Sequence, residues 1–201
     1  MKQYIKQIFE KKFNKNKPII FFDRDGVLTR KRDYLLNKKD ISFYKSTVKA
    51  IQLLNLHQFP IVIITNQSVV ARGWIAPSCL MEINEEIVKL LRQNGAFINA
   101  IYSCPHHPQA NLEQYRVTCK CRKPKTLLID DALKNFKIKT KKGYLIGDKT
   151  TDIQAGKDAG IKTFLVKTGY GGKDKKCEVV PDYICKNALQ AVKIILKDLN
   201  L

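Results

Sequence analysis

The sequence predicts an α/β fold built on a doubly wound, Rossmann-like parallel sheet, and three observations lead there. Short continuous apolar runs recur along the chain: IIFF (Ile19–Phe22), IVIIT (Ile61–Thr65), INAIYS (Ile98–Ser103), YLIGD (Tyr144–Asp148) and KTFLV (Lys162–Val166). Segments with apolar residues at helical spacing fall between them, at Ser46–His57, Pro77–Gln93, Thr126–Phe136 and Thr150–Ala159. No internal repeat or low-complexity linker divides the 201 residues, a length that one core can serve. Strands that are apolar without alternation are buried on both faces, and their alternation with helices marks a parallel sheet covered on both sides.

Taken in order, the elements begin with an N-terminal extension over 1–17. Tyr4, Ile5, Ile8 and Phe9 stand at helical spacing there, which suits a short helix laid on the body or a frayed end. Residues 18–201 then read as a single domain. The stretch between Asp25 and Thr65 is too short for a separate cap domain, so the crevice is expected to be open, with specificity left to short loops. Asn187–Leu199 closes the chain as a final helix. In such a sheet the ligand crevice lies outside the carboxyl ends of the strands, so functional groups belong just after the apolar runs.

Composition narrows the classes. No charge-free apolar run is long enough to span a bilayer, and charge interrupts every apolar residue of MKQYIKQIFEKKFNKNK, so no secretory signal is expected. The expectation is a soluble, cytoplasmic monomer without membrane contact. Net charge is +19, and lysine supplies most of it, 30 Lys against 7 Arg. Such a balance is compatible with nucleic acid, anionic lipid or anionic metabolites. The lysines are spread over the whole length, which favours a solvated surface over a nucleic-acid-binding arm.

Four groups fall at crevice positions. Asp23 and Asp25 flank Arg24 after the first strand, and Gly26 permits an unusual backbone angle beside them. Two carboxylates so close raise each other's proton affinity unless a cation separates them; Mg²⁺ with oxygen ligands would do so. One carboxylate could then act as nucleophile and the other as general acid. Thr65-Asn66-Gln67-Ser68 is a row of hydrogen-bonding side chains after the next strand, and Arg122-Lys123 is a pair of cations. Gly147-Asp148-Lys149-Thr150-Thr151-Asp152 adds two carboxylates one helical turn apart at a helix start. A lone acidic turn would mean little, but phosphoryl transfer needs this whole set: nucleophile, metal, and cations or hydroxyls for the equatorial oxygens.

Six cysteines stand at 79, 104, 119, 121, 177 and 185. A cytoplasmic chain leaves them reduced, and Cys104-Pro105-His106 with Cys119-Lys120-Cys121 has the spacing of a closed, structural Zn²⁺ site. Either His106 or the adjacent His107 could complete it. The loop over 104–121 has little core of its own, so metal would supply its folding energy and fix the Arg122-Lys123 segment that follows. Cys79, Cys177 and Cys185 lack partners at ligand spacing, and His57 is an ordinary helix-end imidazole.

With FFDRDGV, ITNQS, CPHHP, CKCRKP and GDKTTD in this order, the chain resembles haloacid-dehalogenase-type phosphatases. It is most similar to the group of heptose bisphosphate and histidinol-phosphate phosphatases, from about Ile19 to about Tyr170, with a weaker echo at Pro181-Asp182-Tyr183-Ile184. The resemblance implies that Asp23 forms a phosphoaspartyl intermediate while Asp25 protonates the leaving hydroxyl and then activates water. Thr65 and Lys123 would hold the phosphoryl oxygens. Mg²⁺ would take the Asp23 side chain, the Asp25 carbonyl and the Asp148 carboxylate, with Lys149 and Asp152 supporting that shell. Asn66, Arg122 and Lys149 would face the substrate, Arg122 at its distal end. The zinc ligands implied are Cys104, His106, Cys119 and Cys121.

The chain departs from the group at Val69-Val70, where a glycine is usual, and at Lys125-Thr126-Leu127-Leu128, both near the substrate-facing rim, where Arg32 and Tyr34 are also candidate contacts. The resemblance implies a small phosphorylated sugar, a heptose 1,7-bisphosphate, as substrate. Histidinol phosphate and a polynucleotide 3′-phosphate are the alternatives within the same chemistry. A zinc-containing nucleic-acid binder is the alternative outside it, and leaves the aspartate, threonine and lysine set without a reason.

Overall fold

The computed structural model describes residues 4–30, 34–138 and 143–201. Arg32 lies outside the described residues. Seven strands form one sheet: β1 Ile5–Ile8, β2 Ile19–Phe22, β3 Ile61–Asn66, β4 Ala100–Cys104, β5 Gly143–Gly147, β6 Lys162–Val166 and β7 Tyr183–Cys185. Their order is β1-β4-β3-β2-β5-β6-β7, and every pairing is parallel except β1 with β4. The helices are α1 Lys45–Leu56, α2 Ser68–Ala71, α3 Pro77–Gln93, α4 Leu127–Asn135, α5 Thr150–Asp158 and α6 Ala188–Asp198. Among the described residues between β2 and β3, the helical elements are a short 3₁₀ turn, Lys38–Asp40, and α1, with no separate cap domain among them.

The apolar runs are strands because both of their faces are covered. Ile20, Phe22, Ile61 and Ile63 pack with α1, α3 and α6 on one side, whereas Ile19, Phe21, Val62 and Ile64 pack with α4 and α5 on the other. Each of these eight residues is fully buried. At ~25 cal/mol per Å² of buried apolar surface, this two-sided burial is the main term favouring the fold.

The first correction concerns the N-terminus. Tyr4 to Phe9 is not a helix; Ile5–Ile8 is a strand antiparallel to β4, in register Ile5↔Ser103 and Gln7↔Ile101. It covers what would otherwise be an open parallel edge. Tyr4 stacks on Tyr102 with ring centroids 5.6 Å apart, while Ile5 turns to the opposite face beside Val69 and Leu80. The alternation went unseen because a polar residue, Gln7, fills the buried position of the strand.

Two further elements were not expected. β7 is short and half-exposed, and Asp182 just before it docks it onto β6 by accepting from Thr163 N–H and Oγ1, both at 2.7 Å. Val69-Val70 lies in the single turn α2, with negative backbone angles, so the missing glycine is accommodated by helical geometry.

Candidate active site

β2 is central, and the chain leaves it towards β3 and β4 before crossing back to β5, so the topological switch point lies beside β2. The register brings Phe22 opposite both Ile63 and Ile146. The residues after these positions, Asp23, Thr65 and Asp148, therefore meet at one end of the sheet. The Asp23 N–H donates to the Ile146 carbonyl at 3.0 Å, which fastens the Asp23 loop to β5.

Lys123 reaches the same point from the loop before α4. Its Nζ lies 2.6 Å from Asp23 Oδ1, 2.7 Å from Asp152 Oδ1 and 2.8 Å from the Ile64 carbonyl, and it is almost fully buried. Burial works to lower its pKa, but the Asp152 and Asp23 charges outweigh that and raise it, so the ammonium stays charged. The Asn66 side-chain amide holds this loop from both ends: Nδ2 donates to the Lys123 carbonyl and Oδ1 accepts from the Lys123 N–H, each at 3.0 Å. Asn66, expected at the substrate, lines the cleft and also clamps the lysine loop.

Asp23, Asp148 and Asp152 have carboxylate oxygens within 4.8 Å of one another, all buried. Burial raises the pKa of Asp23, and Asp152 and Asp25 add to this against the pull of Lys123. Asp148 is pushed up to about 8 by burial, then by the Asp23 and Asp152 charges. Asp148 Oδ1 is buried without a hydrogen-bond partner, while Oδ2 accepts from the Tyr170 N–H at 2.6 Å. An orphaned carboxylate oxygen facing two more carboxylates is what an oxygen-liganded divalent cation requires, so these residues fit Mg²⁺. Gly26, at φ +92, and Gly169, at φ +60, let two loops close on Asp148, since a Cβ on either would meet its Oδ2. Asp152 also caps α5, its Oδ2 accepting from the N–H groups of Asp148 (3.2 Å) and Lys149 (3.0 Å). The Lys149 ammonium lies over the Tyr170 ring, 4.7 Å from its centroid.

Asp25 has a different setting. Arg24, fully buried, grips it with Nε to Oδ1 at 2.9 Å and Nη2 to Oδ2 at 2.8 Å. Gln67 Nε2 donates to Oδ2 at 2.7 Å and Thr29 Oγ1 to Oδ1 at 3.0 Å. Burial would raise the Asp25 pKa, but Arg24, Gln67 and Thr29 prevail and hold it below the ordinary carboxylate value. In the metal-free chain the two neighbouring aspartates are thus pushed apart in proton affinity, Asp23 upward and Asp25 downward. Thr65 is buried and accepts from Gln67 Nε2 through Oγ1 at 2.7 Å.

Asp23, Asp25, Thr65, Lys123 and Asp152 line a small pocket that shares Asp25, Asn66, Lys123 and Lys149 with a cleft of about 780 Å³. Arg72, Arg122, Lys125, Lys149 and Lys176 line the cleft, so an anionic ligand suits it. Arg122 donates from Nη1 to the His106 carbonyl at 3.0 Å, tying the cleft wall to the cysteine loop. Tyr34 stands at the rim, edge-on to Trp74 at 4.5 Å between centroids, with the Arg72 guanidinium 5.2 Å from the Trp74 ring.

Cys104, His106, Cys119 and Cys121 form the second cluster. Their sulfurs lie 3.1 to 3.6 Å apart, and His106 Nδ1 is 3.4 Å from Cys121 Sγ and 3.9 Å from Cys104 Sγ. A tetrahedron with ~2.3 Å zinc–sulfur bonds has edges of about 3.8 Å, so the cluster fits Zn²⁺ with slight expansion. The cluster takes His106; Nδ1 of His107 instead accepts from the Gln109 N–H at 3.1 Å.

Sequence reasoning gave no role to Arg24, Thr29 or Asn84, and named Gln67 only within a row of polar side chains. The available signal was Arg24 itself, a cation set between two aspartates, whose side chain is fully buried.

A parallel sheet with its carboxylates and lysine at the switch point defines a haloacid-dehalogenase-like hydrolase, and the comparisons with known proteins agree. A family model described as HAD-hydrolase-like matches residues 120–191. A Photorhabdus laumondii D-glycero-alpha-D-manno-heptose-1,7-bisphosphate 7-phosphatase is 35% identical over 76% of this chain and 84% of its own length. A Pasteurella multocida D-glycero-beta-D-manno-heptose-1,7-bisphosphate 7-phosphatase is 37% identical over 76% and 83%. Among solved structures, D,D-heptose 1,7-bisphosphate phosphatase from B. bronchiseptica, complexed with magnesium and phosphate, superimposes with a TM-score of 0.80 at 28% identity, over 90% of this chain and 99% of its own. A HAD-like phosphatase structure from Mesorhizobium loti gives a TM-score of 0.84 at 26% identity, over 98% and 94%. The chain belongs to the heptose bisphosphate phosphatase family of HAD-like hydrolases and is a phosphatase.

Proposed function

We propose that this phosphatase removes the 7-phosphate of D-glycero-D-manno-heptose 1,7-bisphosphate through a phosphoaspartyl intermediate, in the cytoplasmic supply of heptose nucleotide precursors for lipopolysaccharide core or a related surface glycan. The observation that carries the mechanism is Lys123 bridging Asp23 and Asp152 beside a cationic cleft, with Asp148 alongside. The substrate rests on the relatives, which bear that name.

In the first half-reaction an Asp23 oxygen attacks phosphorus, the bond from phosphorus to the sugar oxygen breaks, and the Asp25 proton passes to that oxygen. In the second, Asp25 takes a proton from water, the water oxygen attacks phosphorus, and the aspartyl–phosphorus bond breaks to release inorganic phosphate. Asp25 is set ionised by Arg24, the form that serves the second half. An arriving phosphate dianion raises its proton affinity by like-charge repulsion, which serves the first. Thr65 and Lys123 hold the phosphoryl oxygens, and Lys123 compensates the negative charge around Asp23. Mg²⁺, held by Asp23, the Asp25 carbonyl and Asp148, would supply charge neutralisation for the phosphoryl group. Asn66, Arg122 and Lys149 face the substrate, and residues 18–201 act as one monomeric domain whose zinc loop, held by Cys104, His106, Cys119 and Cys121, steadies Arg122-Lys123.

The test is phosphate release from heptose 1,7-bisphosphate, histidinol phosphate and a 3′-phosphorylated oligonucleotide, with and without Mg²⁺. Fastest turnover is expected on the heptose, with loss of at least about a thousandfold in Asp23→Asn. Preference for either other substrate would keep the mechanism and discard the pathway; no turnover of any by folded, metal-replete protein would discard both.

A further inference from the structure

We propose that the N-terminal strand belongs to the catalytic apparatus: Gln7, acting through Asn84 and Arg24, is a positioning residue for the Asp25 carboxylate. The inference rests on the reading of Asp25 as the proton donor and acceptor.

The side chains form one buried line. Gln7 on β1 accepts through Oε1 from Asn84 Nδ2 at 2.9 Å; Asn84 on α3 accepts through Oδ1 from Arg24 Nη1 at 3.1 Å; Arg24 then takes both oxygens of Asp25. Gln7, Asn84 and Arg24 are 7%, 0% and 0% exposed, so water does not compete. The same guanidinium donates from Nη2 to Gln67 Oε1 at 2.7 Å, and Gln67 returns a donor to Asp25 and to Thr65.

The chemistry of the groups fixes the direction of the line. A guanidinium has donors only, so Asn84 must turn its oxygen towards Arg24 and its NH₂ towards Gln7. Gln7 must then present its oxygen to Asn84 and its NH₂ outward, where Met81 O accepts at 3.1 Å and Glu85 Oε1 at 3.3 Å. Each amide has one orientation that leaves no buried group unpaired, and that orientation aims the fork of Arg24 at Asp25. The other acceptor near Asn84 Nδ2 is Ser103 Oγ, at a longer 3.4 Å. If Gln7 is lost, Asn84 Nδ2 keeps only the longer 3.4 Å contact to Ser103 Oγ, and the acceptor behind Arg24 is held less firmly. A polar residue at the one buried position of β1, at the cost of a weaker strand signal, is thereby accounted for.

A proton donor to the leaving oxygen matters for an alkyl ester, whose alkoxide leaves poorly, and little for p-nitrophenyl phosphate, whose phenolate leaves unaided. The experiment compares kcat/KM on heptose 1,7-bisphosphate, or the alkyl phosphate that wild type turns over fastest, with kcat/KM on p-nitrophenyl phosphate. The variants are Gln7→Met, Asn84→Leu, Asp25→Asn and, as a control just before the same strand, Tyr4→Phe, which removes the 2.7 Å bond to Asp131 and leaves the line intact. The expected result is a fall on the alkyl ester of about threefold to tenfold in Gln7→Met and about tenfold to a hundredfold in Asn84→Leu, with smaller falls on the aryl ester. Tyr4→Phe is expected to keep the wild-type ratio between the esters. Equal falls on both esters in Gln7→Met and Asn84→Leu, or no fall, would overturn the proposal. Should Asn84→Leu not fold, Gln7→Met decides alone. If Asp25→Asn itself lowers both esters equally, the reading of Asp25 falls and the proposal with it; leaving-group dependence in Asp25→Asn but not in Gln7→Met or Asn84→Leu removes the proposal only.

Discussion

Lys123 places one ammonium between two buried carboxylates, with side-chain exposures of 2% for the lysine, 5% for Asp23 and 1% for Asp152. Such a group stabilises a fold little over an apolar substitute, but removing one partner leaves buried charge uncompensated. Lys123→Met, similar in length, would leave Asp23 and Asp152 facing each other without their shared cation. The expected loss in urea denaturation is roughly 3–5 kcal/mol in magnesium-free buffer, and activity should fall by about a hundredfold or more. Added Mg²⁺ should restore part of the stability but not the activity, because Lys123 also contacts the transferring phosphoryl group in the proposed reaction. A variant as stable as wild type without metal would show that the aspartates are already protonated there, and that the lysine is not what balances them.

At the scale of elements, the loop that delivers Lys123 is held twice, by the Asn66 clamp from β3 and by the cysteine–histidine cluster just before it. Cys121→Ser separates the two. Bound zinc measured by mass spectrometry should drop, and kcat/KM should fall by about tenfold as the Arg122-Lys123 segment loosens. Loss of zinc with unchanged kcat/KM would mean that Asn66 alone fixes the loop. These connections were unequally legible in the sequence. Asp23, Asp148, Thr65 and Lys123 could be found because each ends or follows an apolar run, or stands beside a tight metal-ligand pair. The strands β2 to β5 were readable because burial on both faces leaves an unbroken apolar run. β1 was misread, since Gln7 breaks the period-two pattern and Ile5 and Ile8 happen to fall three apart. β7 was missed because its three residues hold too little apolar signal and depend on Asp182 for docking. Arg24 and Asn84 lie 60 residues apart, so no local pattern could pair them.

For the molecule as a whole, the carboxylates at the sheet's end couple folding to pH and to metal. In metal-free protein Asp148 is raised from 3.8 to about 8, foremost by burial. Between those values the folded chain binds a proton that the unfolded chain has released. The stability from this group is full below the unfolded value and is lost as pH rises through about 8. The raised Asp23 acts in the same direction. Aspartates held low, such as Asp25 and Asp182, are ionised throughout the neutral range and contribute no slope there. His106 and His107 are lowered, by burial first and then by Arg122, so their contribution runs the other way and ends about a unit above the unfolded value of 6.5, short of the pH at which Asp148 releases its proton. A cation that needs ionised ligands binds better as the protons leave. Thermal melts from about pH 6.5 to about pH 8.5 should therefore show the magnesium-free protein losing stability. The gain on adding Mg²⁺ should grow over the same range. Asp148→Asn should flatten the metal-free slope and abolish most of the magnesium gain. The same slope and gain in that variant would place the linked proton, and the metal, elsewhere in the molecule.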